Sequence, residues 1–198
     1  DESSGNAADS VASNTLTNAN VTYSTGKINN GSVHNSDTDT LSITDAAQTG
    51  LDITGDLSIN AWANFTSLPA DGSERSFVMK DTGPSNRGYR FALEKSGTVY
   101  QLRTVISVDG TNIHNSTTSN FTVAIDTWYM VSMVYDNAGT MEFYWNGTSI
   151  AVVTGQPTSI VNNAATFFVG GNGAGNIMAG TLDEVGIWSR ALTDAEVT

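Results

Sequence analysis

The chain has 198 residues, of which 39% are apolar and 14% charged, a composition that suits one folded domain of ordinary size. Twenty acidic residues against eight basic ones give a net charge of −12, so the surface would repel nucleic acid and anionic lipid. The absence of cysteine excludes disulfides and thiol catalysis, and two histidines make a polyhistidine metal site a poor hypothesis. No apolar run is long enough for a membrane helix, so we predict no membrane insertion.

The first forty residues are rich in serine, threonine and asparagine, and we predict a loop-rich start that belongs to the domain. The clearest strand signal follows at 57–65, where alternate residues are apolar and one face of a strand would be buried. Trp62 interrupts the polar face of this strand between Asn60 and Asn64. That face is therefore either partly covered or carries an exposed aromatic ring.

Turn-forming residues separate the further predicted strands. The segment 127–135 is apolar at nearly every position, which predicts a central strand buried on both faces. Segments 141–145 and 149–153 flank an Asn146-Gly147 turn and predict a hairpin. The other predicted strands are 40–44, 76–80, 89–94, 99–108, 119–123, 166–169 and 180–188.

A single helical turn is predicted at the end of the sequence, because Thr193 followed by Glu196 forms a capping box. Many short strands with turn residues between them, and almost no helix, are typical of a β-sandwich. We therefore predict one all-β domain over residues 1–198.

The run GTLDEVGIWSRALT at 180–193 resembles the closing strand of laminin-G-like, concanavalin A-like domains, whose pattern is G-x-[IL]-D-E-V-x-[IV]-[WY]-x-R-A-L-[ST]. The resemblance continues in LDITGDLSINAW at 51–62, TWYMV at 127–131, YWNG at 144–147 and DESSG at 1–5. It covers essentially the whole chain in order. It implies an all-β, two-sheet antiparallel jelly-roll sandwich of the concanavalin A-like lectin and glucanase superfamily.

The short strand that usually precedes the opening acidic residues in that family is missing from this sequence. The resemblance therefore implies an open sheet edge, and open edges template pairing with another chain. Two explanations remain: the sequence is truncated at its start, or subunits exchange the strand and self-assemble.

Catalysis is not expected. The glucanases of this superfamily carry their carboxylates on one strand in the pattern E-x-D-x-x-E, and none of the six glutamates begins that pattern. Glu142 comes nearest in setting, alone on a predicted strand beside Tyr144, and a solvent-facing role is the favoured interpretation.

A structural calcium ion is the expected cofactor. In the relatives such an ion is commonly held between an opening acidic residue, a loop carbonyl and the aspartate of the closing strand. The resemblance carries this role to Asp1 or Glu2 and to Asp183. The alternative is that Asp183 and Glu184 only cap the strand or pair with Arg190.

Two features could bind a ligand. Trp62 between two asparagines could form a sugar platform, or it could pack under a loop. Six of the eight basic residues lie between 75 and 103, where Arg87 and Arg90 flank Gly88 and could grip a sulfate or carboxylate. Their alternative is cross-strand pairing with nearby acids, namely Asp71, Glu74, Asp81 and Glu94.

These observations predict a non-enzymatic recognition module outside the cell, at a cell or virion surface. Its expected partner is a carbohydrate or glycoconjugate, neutral or acidic. The alternative function is a structural subunit or adhesin of a surface fibre, appendage or virion that assembles through the open edge.

Overall fold

The computed structural model describes residues 2–118 and 120–197. Fifteen β-strands in this part of the chain form two antiparallel sheets that stack face to face, which confirms the predicted two-sheet sandwich. A 3₁₀ turn at Asp45–Ala47 and one α-helical turn, α1 (Asp194–Val197), complete the secondary structure of these residues. Neither has the length and apolar character that crossing a membrane would require.

The first sheet has eight strands. In spatial order they are β1 (Ala7–Ala8), β2 (Thr15–Ala19), β5 (Thr40–Ile43), β14 (Phe167–Val169), β7 (Glu74–Asp81), β8 (Arg87–Ser96), β9 (Val99–Ile106) and β10 (His114–Thr117).

The second sheet has seven strands. In spatial order they are β13 (Thr148–Thr154), β12 (Thr140–Trp145), β11 (Trp128–Asp136), β6 (Leu57–Phe65), β15 (Gly180–Trp188), β4 (Asn30–His34) and β3 (Thr22–Thr25).

The core lies between the sheets and follows the alternation seen in the sequence. The five alternating apolar residues of β6 are at most 1% exposed, namely Leu57, Ile59, Ala61, Ala63 and Phe65. Phe77, Phe91 and Phe143 continue the core across both sheets, with ring centroids 5.0 Å and 6.5 Å apart in sequence order. Burying each such ring stabilises the fold by about 1.5–3 kcal/mol.

The prediction of a loop-rich start was wrong, because residues 7–34 contain the four strands β1 to β4. β2 and β3 expose one or both faces and lie at or next to sheet edges, so their polar residues give no apolar alternation to detect. β10 was missed for the same reason. The strand predicted at 119–123 is not formed by its described residues, where Phe121 makes only an isolated bridge to Tyr100, and residue 119 lies outside the described residues.

The predicted helical turn is confirmed. The Glu196 side chain reaches back to accept a hydrogen bond from the Thr193 N–H at 2.9 Å, as a capping box requires. Arg190 donates two hydrogen bonds to the same carboxylate, each 2.8 Å long. Arg190 thus pairs with Glu196, and not with Asp183 or Glu184 as in the alternative interpretation of the sequence.

His34 is a buried titratable group of this core, with no exposed surface. Its ring nitrogens lie 3.3 Å from the Asp39 carbonyl oxygen and 3.1 Å from the Ser32 hydroxyl. Burial lowers the pKa of His34, and the carbonyl and carboxylate of Asp39 offset only part of that effect.

We therefore expect the free energy of unfolding to fall as the pH drops below about 6.5. There the unfolded chain binds a proton that the folded, neutral His34 does not, so stability is lost as the pH falls toward the folded pKa. One proton gives a limiting slope of about 1.4 kcal/mol per pH unit. Urea unfolding across this range measures it. An unchanged slope in His34→Gln would contradict the prediction.

Candidate functional site

The outward face of the seven-stranded sheet carries the polar side of β6. Strand register pairs Trp62 with Met130 and Asn64 with Trp128, so these four side chains share one face. The other end of this face is covered by the closing segment, where Val134 and Tyr144 pack against Leu192 and Val197. The part of the face around Trp62 is left uncovered by α1.

A hollow of about 610 Å³ lies on this uncovered part. It is lined by Lys27, Trp62, Trp128, Met130, Asn146 and Gly147. Trp62 and Trp128 are both half-buried, so each indole is held by the sheet and still presents surface. Two aromatic rings beside an amide form a surface on which a ring-shaped ligand can stack and form hydrogen bonds.

The turn between β3 and β4 forms one wall of this hollow, and Asp183 anchors it. The Asp183 carboxylate accepts hydrogen bonds from the Ile28 N–H at 2.7 Å and from the Glu184 N–H at 2.9 Å. Only glycine fits at position 26, because a Cβ there would lie 2.5 Å from the Asp183 carboxylate and 2.7 Å from the Gly31 nitrogen. Asp183 therefore sets the backbone position of Lys27, the residue before Ile28.

Lys27 lies over the ring of Trp62, with its ammonium nitrogen 4.4 Å from the ring centroid. Such a contact is worth about 0.5–1 kcal/mol at an exposed site. No ion pair of Lys27 is found within residues 2–118 and 120–197. The hollow thus contains a positive charge with no acidic partner among the described residues, in a chain whose net charge is −12.

The predicted calcium ligands are only partly described, because Asp1 lies outside the described residues. Glu2 accepts a hydrogen bond from the Ala8 N–H at 2.8 Å, while Asp183 is 6% exposed and binds the turn. Within the part of the chain that the structure describes, no group of three or more histidine, cysteine, aspartate or glutamate residues could hold a metal ion. These residues do not supply a calcium cage by themselves, so calcium binding stays a prediction of the sequence.

Arg87 and Arg90 lie on the opposite sheet from Trp62. Arg90 pairs with Glu74 and with Asp81, the latter at 2.5 Å, and its side chain is 17% exposed. Burial lowers the pKa of Arg90, but the charges of Glu74 and Asp81 outweigh this and raise it. Arg90 thus pairs with acids on the neighbouring strand, which is the alternative to ligand binding that the sequence offered. Arg87 is half-buried at the start of β8.

Sequence reasoning missed Lys27, Trp128 and Asn146. Residues 127–135 were predicted to be buried on both faces, but residues 128–130 are half-buried and full burial begins at Val131. The spacing offered one signal, since Trp128 lies an even number of positions from Ser132 and Val134 and so shares their face. Lys27 gave none, because it lies in a turn whose position depends on Asp183.

Two antiparallel sheets stacked over one core define an all-β sandwich of the concanavalin A-like class. The chain matches the Laminin_G_3 family, described as the concanavalin A-like lectin/glucanases superfamily, over residues 35–198. It belongs to this family, as its closing motif indicated. No curated protein sequence matched the chain.

Solved structures share the fold at low identity. Domain 4 of AbnA, a GH43 extracellular arabinanase from Geobacillus stearothermophilus solved with arabinotriose, is 21% identical with a TM-score of 0.68, covering 89% of this chain and 79% of that one. The binding domain of Paraclostridial Mosquitocidal Protein 1 is 18% identical, with a TM-score of 0.69 and coverage of 92% and 45%. The binding domain of botulinum neurotoxin DC, solved with sialylT, is 13% identical, with a TM-score of 0.66 and coverage of 91% and 44%. The chain thus spans less than half of the two toxin domains.

Proposed function

We propose that this chain is an extracellular, non-enzymatic recognition module whose hollow binds a carbohydrate bearing a carboxylate. The observation that carries the proposal is the Lys27 ammonium, held over the Trp62 ring without an acidic partner among the described residues. Sugar rings present apolar C–H faces that pack on indoles, and their hydroxyls bond to amides such as Asn146. A carboxylate would add a charge-assisted bond to Lys27.

The solved structures support a carbohydrate ligand without identifying it. One similar domain was solved with an arabinose oligosaccharide, and another with sialylT. The first of these is part of an extracellular enzyme, which supports a location outside the cell. All are less than 25% identical to this chain, so the proposed ligand class rests on the residues that line the hollow.

A binding role without catalysis is supported by the state of the acidic residues on the other sheet. Arg103 lies 2.9 Å from Glu74 and 3.5 Å from Glu94, while Arg90 pairs with Glu74 and Asp81. Carboxylates held in such ion pairs have their oxygens occupied by arginine and are not free to contact a substrate. Glu142, the nearest candidate in the sequence, accepts a hydrogen bond from the Ser149 hydroxyl.

We expect Trp62→Ala to weaken binding of uronic-acid oligosaccharides by about 2 kcal/mol, or roughly thirtyfold in Kd, because the stacking surface is lost. Lys27→Met should weaken the same ligands about tenfold, because one charge-assisted bond is lost, and leave neutral oligosaccharides of equal length unaffected. A glycan array followed by titration calorimetry measures both effects.

Lys95→Met is the matched control. Lys95 also lies over an aromatic ring, 5.6 Å from the centroid of Tyr100, but on the other sheet. It should bind like the wild type. Equal binding of acidic and neutral sugars by the wild type, or no loss in Trp62→Ala, would contradict the proposal.

A further inference from the structure

Lys27 occupies the space over Trp62 in which the ring of a ligand would stack. Both residues line the hollow, and the Lys27 ammonium nitrogen lies 4.4 Å from the centroid of the indole ring. Stacked rings lie with their centroids about 4.5 Å apart or more, so the ammonium and a ligand ring cannot share this position. A ligand that stacks on this face of Trp62 must first displace Lys27.

The backbone of Lys27 is held in place, whereas its side chain is exposed. The Gly26 N–H donates a hydrogen bond to the Asn29 carbonyl oxygen at 2.8 Å and closes the turn, and the Asp183 carboxylate holds the next residue, Ile28. In the described part of the chain no carboxylate pairs with the Lys27 ammonium. A ligand therefore has to break the contact with the indole, which corresponds to roughly two- to fivefold in Kd.

Trp128 lies beside this covered ring and is itself uncovered. Trp62 is opposite Met130 in the sheet, so Trp128, two positions earlier on β11, is its diagonal neighbour at roughly 7–8 Å. Within residues 2–118 and 120–197, a lysine ammonium lies over two aromatic rings, those of Trp62 and Tyr100. The hollow thus offers one uncovered indole and one that a ligand reaches by moving Lys27.

We propose that Lys27 determines the specificity of the hollow, because it covers Trp62 against neutral sugars and uncovers it for a sugar that bears a carboxylate. A neutral sugar breaks the contact between Lys27 and the ring and gains no ion pair in return. A carboxylate beside the ring pairs with the displaced ammonium and offsets that loss. Lys27 therefore disfavours one class of ligand as well as favouring another. This inference rests on the proposed binding of carbohydrate in the hollow.

Two substitutions separate the charge of Lys27 from its cover. Methionine removes the charge but can still pack its thioether on the ring, whereas alanine removes both. The probes are a trimer of galacturonic acid and its neutral methyl ester. We expect Lys27→Ala to bind the ester roughly two- to fivefold more tightly than the wild type, and Lys27→Met to bind it equally. For the acid, the loss of about tenfold in Lys27→Met should shrink to roughly two- to fivefold in Lys27→Ala. Titrations followed by NMR chemical shifts measure all of these affinities.

The free protein gives a readout that needs no ligand. Protons above an indole face are shielded by its ring current, so the ε-methylene protons of Lys27 should resonate upfield of those of the other lysines. This shift should disappear in Trp62→Ala and when the acid trimer saturates the wild type. Trp128→Ala is the matched control and should keep the shift in the free protein, because Lys27 does not lie over that ring.

The inference is overturned if the shift is absent from the free wild type, or if Lys27→Ala binds the ester no better than the wild type does. It is also overturned if Lys27→Ala strengthens ester binding equally in a Trp62→Ala background, where no ring remains to be uncovered. In each of these cases the proposed function stands, provided that the wild type prefers the acid and Trp62→Ala weakens it. If the wild type binds neither trimer, the proposed function fails and this inference fails with it.

Discussion

Replacing Lys80 by methionine is expected to lower the free energy of unfolding by about 3 kcal/mol, the lower end of the range for breaking a buried ion pair. The Lys80 ammonium donates hydrogen bonds to Asp45 at 2.6 Å and to the carbonyls of Asn163 and Ala165 at 2.9 Å and 3.0 Å. It also lies 3.0 Å from Asp52. Its side chain is 2% exposed, so methionine would leave two carboxylates and two carbonyls without this donor.

The lower end of the range applies because Asp45 and Asp52 are 31% and 33% exposed, and water partly solvates them. Urea unfolding measures the change. Lys95→Met, the removal of a lysine on a strand end, should cost less than about 0.5 kcal/mol. Adding Asp45→Asn and Asp52→Asn to Lys80→Met should recover part of the loss, because the uncompensated charges are then removed. If Lys80→Met lowers the free energy of unfolding by less than about 1 kcal/mol, these contacts of the ammonium contribute little to stability.

Gly180→Ala is expected to destabilise the fold by roughly 3–5 kcal/mol, the sum of backbone strain and overpacking. Gly180 has φ of 155°, and an added Cβ would lie 2.0 Å from the Asn64 carbonyl oxygen and 2.9 Å from the Phe65 Cα. Both contacts are with the backbone, which cannot move without shifting β6. Because β15 pairs with β6 from Gly180 onward, the strain falls in the middle of the seven-stranded sheet.

Gly175→Ala separates the two causes. Gly175 has φ of 81°, and an added Cβ there would meet no atom within 4 Å, so only the backbone cost of about 1–2 kcal/mol remains. Thermal and urea unfolding of both variants give the comparison. Similar losses of stability in the two variants would mean that small backbone shifts relieve the contact with the Asn64 carbonyl oxygen.

Neither the contacts of Lys80 nor the close approach at Gly180 was visible in the sequence. The 76–80 segment predicted a strand, and its lysine gave no sign of an inward-facing ammonium. Asp45, Asp52, Asn163 and Ala165, which surround that ammonium, come from three separate parts of the chain. Sequence patterns indicate burial along one segment, whereas these contacts of Lys80 form only when distant segments pack together.

In the candidate site, too, some residues stood out in the sequence and others are brought in only by the tertiary structure. Trp62 was identified because a tryptophan on the polar side of an alternating strand stands out locally. Arg87 and Arg90 also stood out, yet the partners of Arg90 on β7 are cross-strand neighbours whose register the sequence does not reveal. Lys27 and Trp128 join Trp62 only through the docked turn and the pairing of β6 with β11.

By itself the sequence determined the all-β class, the buried face of β6, the closing motif and the helical cap, because period-two alternation and capping are local. Only the tertiary structure brought Asp183 against the turn between β3 and β4. Its carboxylate binds the N–H of Ile28, 155 positions away, and so sets the turn that holds Lys27 over Trp62. An aspartate in a strand has the same residue type whether it binds a metal, pairs with an arginine or anchors a loop. Its contact with the Ile28 N–H could not be predicted, because that backbone group reaches it only when the strands assemble.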